Sequence, residues 1–192
     1  MKNIVSWTRL ILFAVLFLLF AASSCSILGA SFKGSLIQPA ETAPEINLTD
    51  ARGTAFQLSA QQNKVVLVFF GFTNCVDECP LTMAKIKQAL ENIGNKSRDV
   101  QVAMVSTDPV RDTPQALQDF LGKFNPDFLG LTGSMDQLTK TWKDYGVTVL
   151  DGGETHSSYI YVIDKSGKFR LLLNSDLTPE DIAHDLDILL AE

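Results

Sequence analysis

Two cysteines stand four residues apart in the segment Cys75-Val-Asp-Glu-Cys79, between an apolar run and a stretch of helical periodicity. If the helix extends back over them, residues at this spacing share one helix face, so both sulfurs can address one ion or each other. A helix N-terminus also lowers the pKa of a nearby thiol, which favours the thiolate that metal binding and disulfide exchange need. The pair therefore predicts a metal site or a redox-active dithiol, with a structural disulfide as the alternative.

The elements on either side of the cysteines are predicted by hydrophobic patterning. Residues 65–70 form a continuous run of β-formers, which is typical of a strand buried on both faces. Pro80 suits a first helical turn, residues 81–93 carry apolar side chains at helical spacing, and Gly94 ends that helix. A second buried strand is predicted over residues 100–106, so the cysteines lie in the first turn of a strand-helix-strand unit.

The remaining patterns extend this unit into a complete α/β domain. Further helices are predicted over residues 115–124, 134–145 and 178–190, and further strands over residues 128–131, 159–163 and 169–173. Residues 46–49 and 54–58, joined by a turn rich in Asp and Gly, predict a small hairpin ahead of the domain. This order predicts a thioredoxin-like three-layer fold with an added N-terminal β-hairpin.

The N-terminus has the composition of an export signal. Lys2 and Arg9 precede the apolar run 10–22, which is followed by two serines and Cys25. The run is 13 residues long, whereas a bilayer span needs about 18 or more. We therefore expect residues 1–25 to be a signal peptide whose Cys25 is lipidated, or else a membrane anchor. Residues 26–43 are predicted to be a flexible tether, and residues 44–192 the folded domain.

The charge of the chain excludes one class of partner. The formal net charge is -6, the sequence pI is near 4.9, and no basic run is interleaved with aromatic residues. Nucleic-acid binding is therefore not expected. Removal of residues 1–24 would take away Lys2 and Arg9 and lower the formal charge to -8, so the domain is expected to stay off anionic lipid.

The cysteine segment and two others resemble the Sco/SenC family. Phe69-Phe-Gly-Phe-Thr-Asn-Cys75-Val-Asp-Glu-Cys79-Pro is similar to that family's Phe-Gly-Tyr/Phe-Thr-x-Cys-Pro-Asp-x-Cys-Pro. Asp108-Pro-Val-Arg-Asp-Thr-Pro resembles its Asp-Pro-x-Arg-Asp-Thr-Pro, and His156 precedes a predicted strand where the family places its histidine. The resemblance covers roughly residues 44–190. Val76 replaces the usual proline, and Thr155 stands where an Asp usually precedes the histidine.

The resemblance implies a copper site made of Cys75, Cys79 and His156. Two soft thiolates suit Cu(I), and an added imidazole gives a ligand set that also holds Cu(II). The implied function is a metallochaperone on the extracytoplasmic side of a bacterial cell membrane, which delivers copper to the dinuclear copper site of cytochrome c oxidase. Its implied partners are the copper-binding subunit of the oxidase and a further copper chaperone or a thiol reductant.

A thiol:disulfide oxidoreductase that reduces target cysteines during oxidase assembly is the alternative function, with Cys75 and Cys79 as its catalytic pair. Thioredoxin-type oxidoreductases place a cis-proline opposite their cysteines, but no proline lies between residues 146 and 163. This absence favours metal binding. His184, within an acidic stretch of the last predicted helix, is interpreted as a surface residue, and Asp108 and Asp112 as turn and cap residues.

Overall fold

The computed structural model describes residues 31–153 and 159–192, which form one α/β unit around an eight-stranded sheet. The strands are β1 (Ser35–Leu36), β2 (Asn47–Asp50), β3 (Ala55–Gln57), β4 (Val65–Gly71), β5 (Val100–Ser106), β6 (Leu129–Thr132), β7 (Ile160–Ile163) and β8 (Phe169–Leu173). The helices are α1 (Glu78–Asn92), α2 (Pro114–Leu121), α3 (Met135–Asp144) and α4 (Pro179–Ala191). In the sheet the order is β1-β8-β7-β4-β5-β6-β2-β3.

Every residue of β4 is buried, because this strand lies inside the sheet and is covered on both faces. Val65, Leu67 and Phe69 pack with residues of α1, α2 and α4 on one face. The alternate residues of β4 pack with α3 and the β2–β3 hairpin on the other face. This alternation produces the three layers that the sequence predicted.

The parallel strands place the chemically interesting loops at one edge of the sheet. Strand β4 pairs in parallel with β5, and β5 with β6, while β7 runs antiparallel on the other side of β4. The carboxyl ends of β4 and β5 therefore lie side by side, and the amide of Thr107 donates to the carbonyl of Gly71 at 2.9 Å. Ligand sites in such sheets form at these strand ends.

Polar caps fix the starts of three helices. The Thr113 hydroxyl accepts a hydrogen bond from an amide in the first turn of α2. Ser134 and Thr178 do the same for α3 and α4, each within a reciprocal capping box. Thr113 therefore caps α2, whereas Asp112, which the sequence suggested as a cap residue, has a different role in the cysteine loop.

The prediction of a flexible tether over residues 26–43 is wrong for residues 33–43, because these residues pack on the domain. Strand β1 pairs antiparallel with β8, and Thr42 bridges to Lys168. These residues have few large apolar side chains, so hydropathy gave no sign that their backbone would cover the open edge of β8. The folded domain therefore begins before residue 44.

One buried carboxylate holds the start of this segment against the last helix. Asp185 on α4 is buried, and its two oxygens accept hydrogen bonds from the backbone amides of Lys33 and Gly34, each at 2.8 Å. Its Oδ1 also lies 3.1 Å from Nδ1 of His184. Asp185 thus fixes the place at which the chain enters the domain.

Replacing Asp185 by Ala should lower the free energy of unfolding by about 2 kcal/mol, because two amides lose a charged acceptor. Amide exchange at Lys33 and Gly34 should become faster. Asp187→Ala is the matched control on the same helix, since Asp187 makes only an exposed ion pair with Lys96, and it should cost less than about 0.5 kcal/mol. Equal urea unfolding curves for both variants would contradict this role of Asp185.

Candidate metal centre

The two thiols lie where β4 leads into α1. Cys75 is half-buried in the connecting loop, and Cys79 is buried in the first turn of the helix. Both are free thiols, and the backbone amide of Cys79 donates a hydrogen bond to Sγ of Cys75 at 3.3 Å. The structure therefore brings both sulfurs together, as the sequence predicted.

The sulfurs do not share a helix face, however, because α1 begins at Glu78 and leaves Cys75 outside the helix. The loop itself turns Cys75 back onto the first helical turn, where the amide of Cys79 faces its sulfur. Helix α1 also includes Glu78 and Cys79, which precede Pro80, the residue that the sequence placed in the first turn. One cysteine is thus held by a helix and the other by a loop.

Burial raises the pKa of the Cys79 thiol far above its usual range, although a backbone hydrogen bond at Phe72 acts in the opposite direction. Loss of hydration disfavours the thiolate more than this hydrogen bond favours it. The expectation of a lowered pKa is therefore wrong for Cys79. Any reaction that needs this thiolate, including metal binding, must remove a proton from a buried group.

Gly71 allows the Cys79 thiol to approach the end of β4. A Cβ atom at this position would lie 2.6 Å from Cε1 of Phe69 and 3.0 Å from Sγ of Cys79. The first contact would force the Phe69 ring to shift and the second would crowd the sulfur, because buried atoms are already closely packed. The glycine in the Phe-Gly-Phe sequence thus makes room for the sulfur.

Asp112 fixes the first residues of the cysteine loop. Its buried carboxylate accepts hydrogen bonds from the backbone amide of Thr73 at 2.9 Å and from the Thr73 hydroxyl at 2.7 Å. The hydroxyl of Ser106, the last residue of β5, donates to the other oxygen at 2.6 Å. One carboxylate therefore ties the loop after β4 to the end of β5.

A second loop forms the facing wall of the cleft. The Thr107 hydroxyl donates to the carbonyl of Gly153, and the Arg111 guanidinium donates to the carbonyl of Gly152, each at 2.6 Å. Arg111 also pairs with Asp108. Gly153 has a φ of +84°, and a Cβ there would lie 2.7 Å from Cβ of Asp108, so a glycine is required. Asp108 thus has a structural role, as predicted.

The cysteine loop and the facing glycines enclose a cleft of about 470 Å³. Its lining includes Cys75, Cys79, Arg111, Gly152 and Gly153. Within residues 31–153 and 159–192, no group of three or more His, Cys, Asp and Glu side chains could hold a metal ion. Two cysteines alone therefore represent the candidate centre in the described part of the chain.

The other predicted site residues, His156 and Cys25, lie outside the described residues. His156 follows Gly153, a residue of the cleft lining, by three positions in the sequence. His184, by contrast, contacts Asp185 on α4 and does not line the cleft. This agrees with its interpretation as a residue without a role in the site.

Several residues of the site were not singled out from the sequence. Thr73 and Ser106 bind the Asp112 carboxylate, and Thr107 and Arg111 hold the glycine loop. Thr73 and Arg111 fall within the segments that resemble the Sco/SenC motifs, and Ser106 and Thr107 directly precede the second segment, which was the available signal. Hydrophobic patterning alone carries no information about them, because their contacts are polar and between loops.

Three comparisons place the chain among known proteins. The family model described as SCO1/SenC matches residues 35–191. The copper-bound structure of ScoI from Bradyrhizobium japonicum is 32% identical, with a TM-score of 0.68, over 78% of this chain and all of that one. A SCO1/SenC family lipoprotein from Bacillus anthracis is 29% identical, with a TM-score of 0.69, over 81% of this chain and 99% of that one.

A third solved structure, BsSco, shares the fold at a TM-score of 0.67 and 24% identity, over 80% of this chain and 95% of that one. It is described as having a disulfide switch and as a member of the Sco family of cytochrome c oxidase assembly proteins. At this identity the likeness establishes the fold alone. The thioredoxin-like architecture predicted from the sequence is confirmed by these structures together.

Replacing Asp112 by Ala should destabilise the domain by about 3 kcal/mol, because the buried Ser106 hydroxyl and two donors of partly buried Thr73 lose their acceptor. The freed loop should also expose Cys79, so alkylation of this thiol should become faster relative to Cys75. Asp119→Ala is the control on α2, since Asp119 only accepts a hydrogen bond from exposed Gln115. Unchanged alkylation rates and stability in Asp112→Ala would show that the carboxylate does not order the loop.

Proposed function

The chain belongs to the SCO1/SenC family, and from this premise we propose that it binds one copper ion through Cys75, Cys79 and His156. The observation that carries the proposal is the cleft in which two free cysteines face the loop that leads to His156. The copper-bound relative from Bradyrhizobium japonicum supports the choice of metal. Copper is the cargo, and its destination is the dinuclear copper site of cytochrome c oxidase.

The chemistry of the cysteines fits copper. Two thiolates are the soft donors that Cu(I) prefers, and one imidazole extends the set to Cu(II). Gly153 is held at the cleft by Thr107, and Ile160, which begins β7, pairs with Phe69 of β4. The segment that contains His156 therefore starts and ends beside the cysteines. These constraints support His156 as the third ligand.

Because the two cysteines are unequally buried, we expect them to release copper in a fixed order. Cys75 lies in a half-exposed loop, whereas Cys79 is buried against Gly71. A thiolate of the acceptor can reach the ion from the side of Cys75 and replace this ligand first. Cys79 and His156 then release the ion to the acceptor's thiolates, and the protons that the acceptor's thiols lose return to Cys75 and Cys79. No electron is transferred, and a sulfur ligand is retained at each step.

The competing function is thiol:disulfide exchange with the cysteines of the acceptor. Two neighbouring free thiols can be oxidised to a disulfide while a target disulfide is reduced. The two free thiols carry this second candidate, and BsSco, a Sco-family protein with the same fold, is described as having a disulfide switch. It needs only Cys75 and Cys79, whereas copper binding also needs His156.

The reduced domain should bind one copper ion in anaerobic titration, and Cys75→Ser or Cys79→Ser should abolish this binding because each removes a soft ligand. His156→Ala should weaken Cu(II) binding by about a hundredfold or more. It should leave the Cys75/Cys79 pair able to oxidise and reduce. Cells with His156→Ala should lose oxidase activity and regain part of it when copper is added.

The matched control is His184→Ala, which removes the other histidine of the chain and should leave copper binding unchanged. Equal copper retention in wild type and in both cysteine variants would refute the site. If His156→Ala leaves copper binding and oxidase assembly intact while the cysteine variants fail, thiol exchange becomes the leading function.

We also propose that the domain is tethered to the extracytoplasmic face of a bacterial cell membrane through lipidated Cys25. Lys2, Arg9 and the apolar run 10–22 ahead of Cys25 have the pattern of a lipoprotein signal. The Bacillus anthracis relative described as a lipoprotein supports this reading. In the described residues, no helix combines the length and apolar character needed to cross a bilayer.

Replacing Cys25 by Ala should prevent acylation, so that the precursor keeps its signal and no lipid-modified mature protein forms. The measurement is the intact mass of the membrane-extracted protein from cells that express either form. Cys75→Ala is the control, because it removes a cysteine of the folded domain without touching the signal. Identical processing and mass in wild type and Cys25→Ala would contradict lipidation and favour a transmembrane anchor.

A further inference from the structure

Exposed apolar residues of the domain include one that lines the cysteine cleft and several that are close in sequence to its lining residues. In the part of the chain that the structure describes, the exposed large apolar residues are Leu36, Val76, Leu81, Val110, Met135, Leu150 and Tyr159. Four of these seven line the cleft or lie within two residues of its lining. We call this group, Val76, Leu81, Val110 and Leu150, the apolar rim.

The two valines of the rim are the most exposed members of the whole set. Val76 is 85% exposed between the cysteines, and Val110 is 82% exposed beside Arg111, whose side chain lines the cleft. Neither side chain contributes to the core of the domain. Single apolar residues on a surface need no explanation, but a group of them around one cleft indicates a contact surface.

The charges of the rim are negative. Asp77 and Glu78 are exposed in the cleft lining and make no ion pair within residues 31–153 and 159–192. Arg111 is the one cation among the described lining residues, and it is already paired with Asp108 and bonded to Gly152. The rim therefore combines apolar side chains with two unpaired carboxylates.

The apolar side chains and unpaired carboxylates of the rim together indicate which kind of surface can cover it. A second copy of the chain would bring its own Asp77 and Glu78 against the same carboxylates, and an anionic lipid headgroup would also repel them. A protein with an apolar patch bordered by Lys and Arg side chains would complement both the apolar side chains and the carboxylates of the rim. Charge complementarity of this kind also raises association rates.

We propose that the apolar rim docks the protein with which the domain exchanges copper, and that this partner presents an apolar patch bordered by basic side chains. The inference rests on the proposed function, because that function names the partner. Docking there places the acceptor's thiols over Cys75, the more accessible of the two cysteines. Val110 then contributes to partner contact without contributing to metal binding.

The test measures copper transfer from the loaded domain to the metal-free copper-binding domain of the same bacterium's cytochrome c oxidase. Val110→Ser should slow transfer and weaken binding of the two proteins about tenfold, because a buried contact is lost. Copper affinity should be unchanged. Met135→Ser is the matched control, since Met135 is 53% exposed outside the rim, and it should transfer copper at the wild-type rate.

A second arm tests the carboxylates. The double variant Asp77→Asn with Glu78→Gln should bind the oxidase domain more weakly at low salt, and its binding should depend less on salt than that of the wild type. Copper affinity is measured on the same sample to separate docking from ligation. Equal salt dependence in both proteins would overturn the basic border assigned to the partner.

The outcomes separate docking from the function on which it rests. Normal transfer by Val110→Ser would overturn the docking surface and leave the copper function standing. If the wild-type domain binds no copper, the function fails, and metal-free binding still tests docking through Val110→Ser. No saturable binding between the wild-type proteins would overturn the proposed partner. If sedimentation shows that the domain dimerises, and dimerisation prevents it from binding the oxidase domain, the rim is assigned to a second copy of the chain instead.

Discussion

The buried carboxylate of Asp112 is the interaction on which the site depends. It binds Thr73 in the loop after β4 and Ser106 at the end of β5, so it joins the two strand ends that flank the cleft. Apart from this carboxylate, the loop is held by the packing of Phe72 and Cys75 against the core. A charged acceptor with three donors is stable in this place because its hydrogen bonds replace those lost from water.

This anchoring gives the two thiols different properties although they are four residues apart. Cys79 belongs to a helix packed against Gly71, and burial raises its pKa. Cys75 belongs to a half-exposed loop and receives a hydrogen bond from the Cys79 amide. In the proposed mechanism the buried thiol retains the ion, and the accessible one is exchanged first. The apolar rim lies on the same accessible side.

The elements of the core were predictable because burial leaves a clear pattern in the sequence. The run predicted over residues 65–70 is β4, and that over residues 100–106 is β5, since both strands are covered on two faces. The start of α1 and the pairing of β1 were not predicted, because they depend on loop and backbone contacts that hydropathy does not record. The raised pKa of Cys79 was missed because its burial depends on tertiary packing. The proposal of His156 as a copper ligand rests on resemblance, and this residue lies outside the described residues.

The central claim is that Cys75 and Cys79 hold one copper ion together with His156. X-ray absorption spectroscopy of the copper-loaded protein measures this ligand set directly, because sulfur and nitrogen neighbours scatter at different distances. The account predicts two sulfur ligands and one imidazole nitrogen for Cu(II), with the nitrogen lost in His156→Ala and both sulfurs retained. A copper ion with fewer than two sulfur neighbours in the wild-type protein would contradict it.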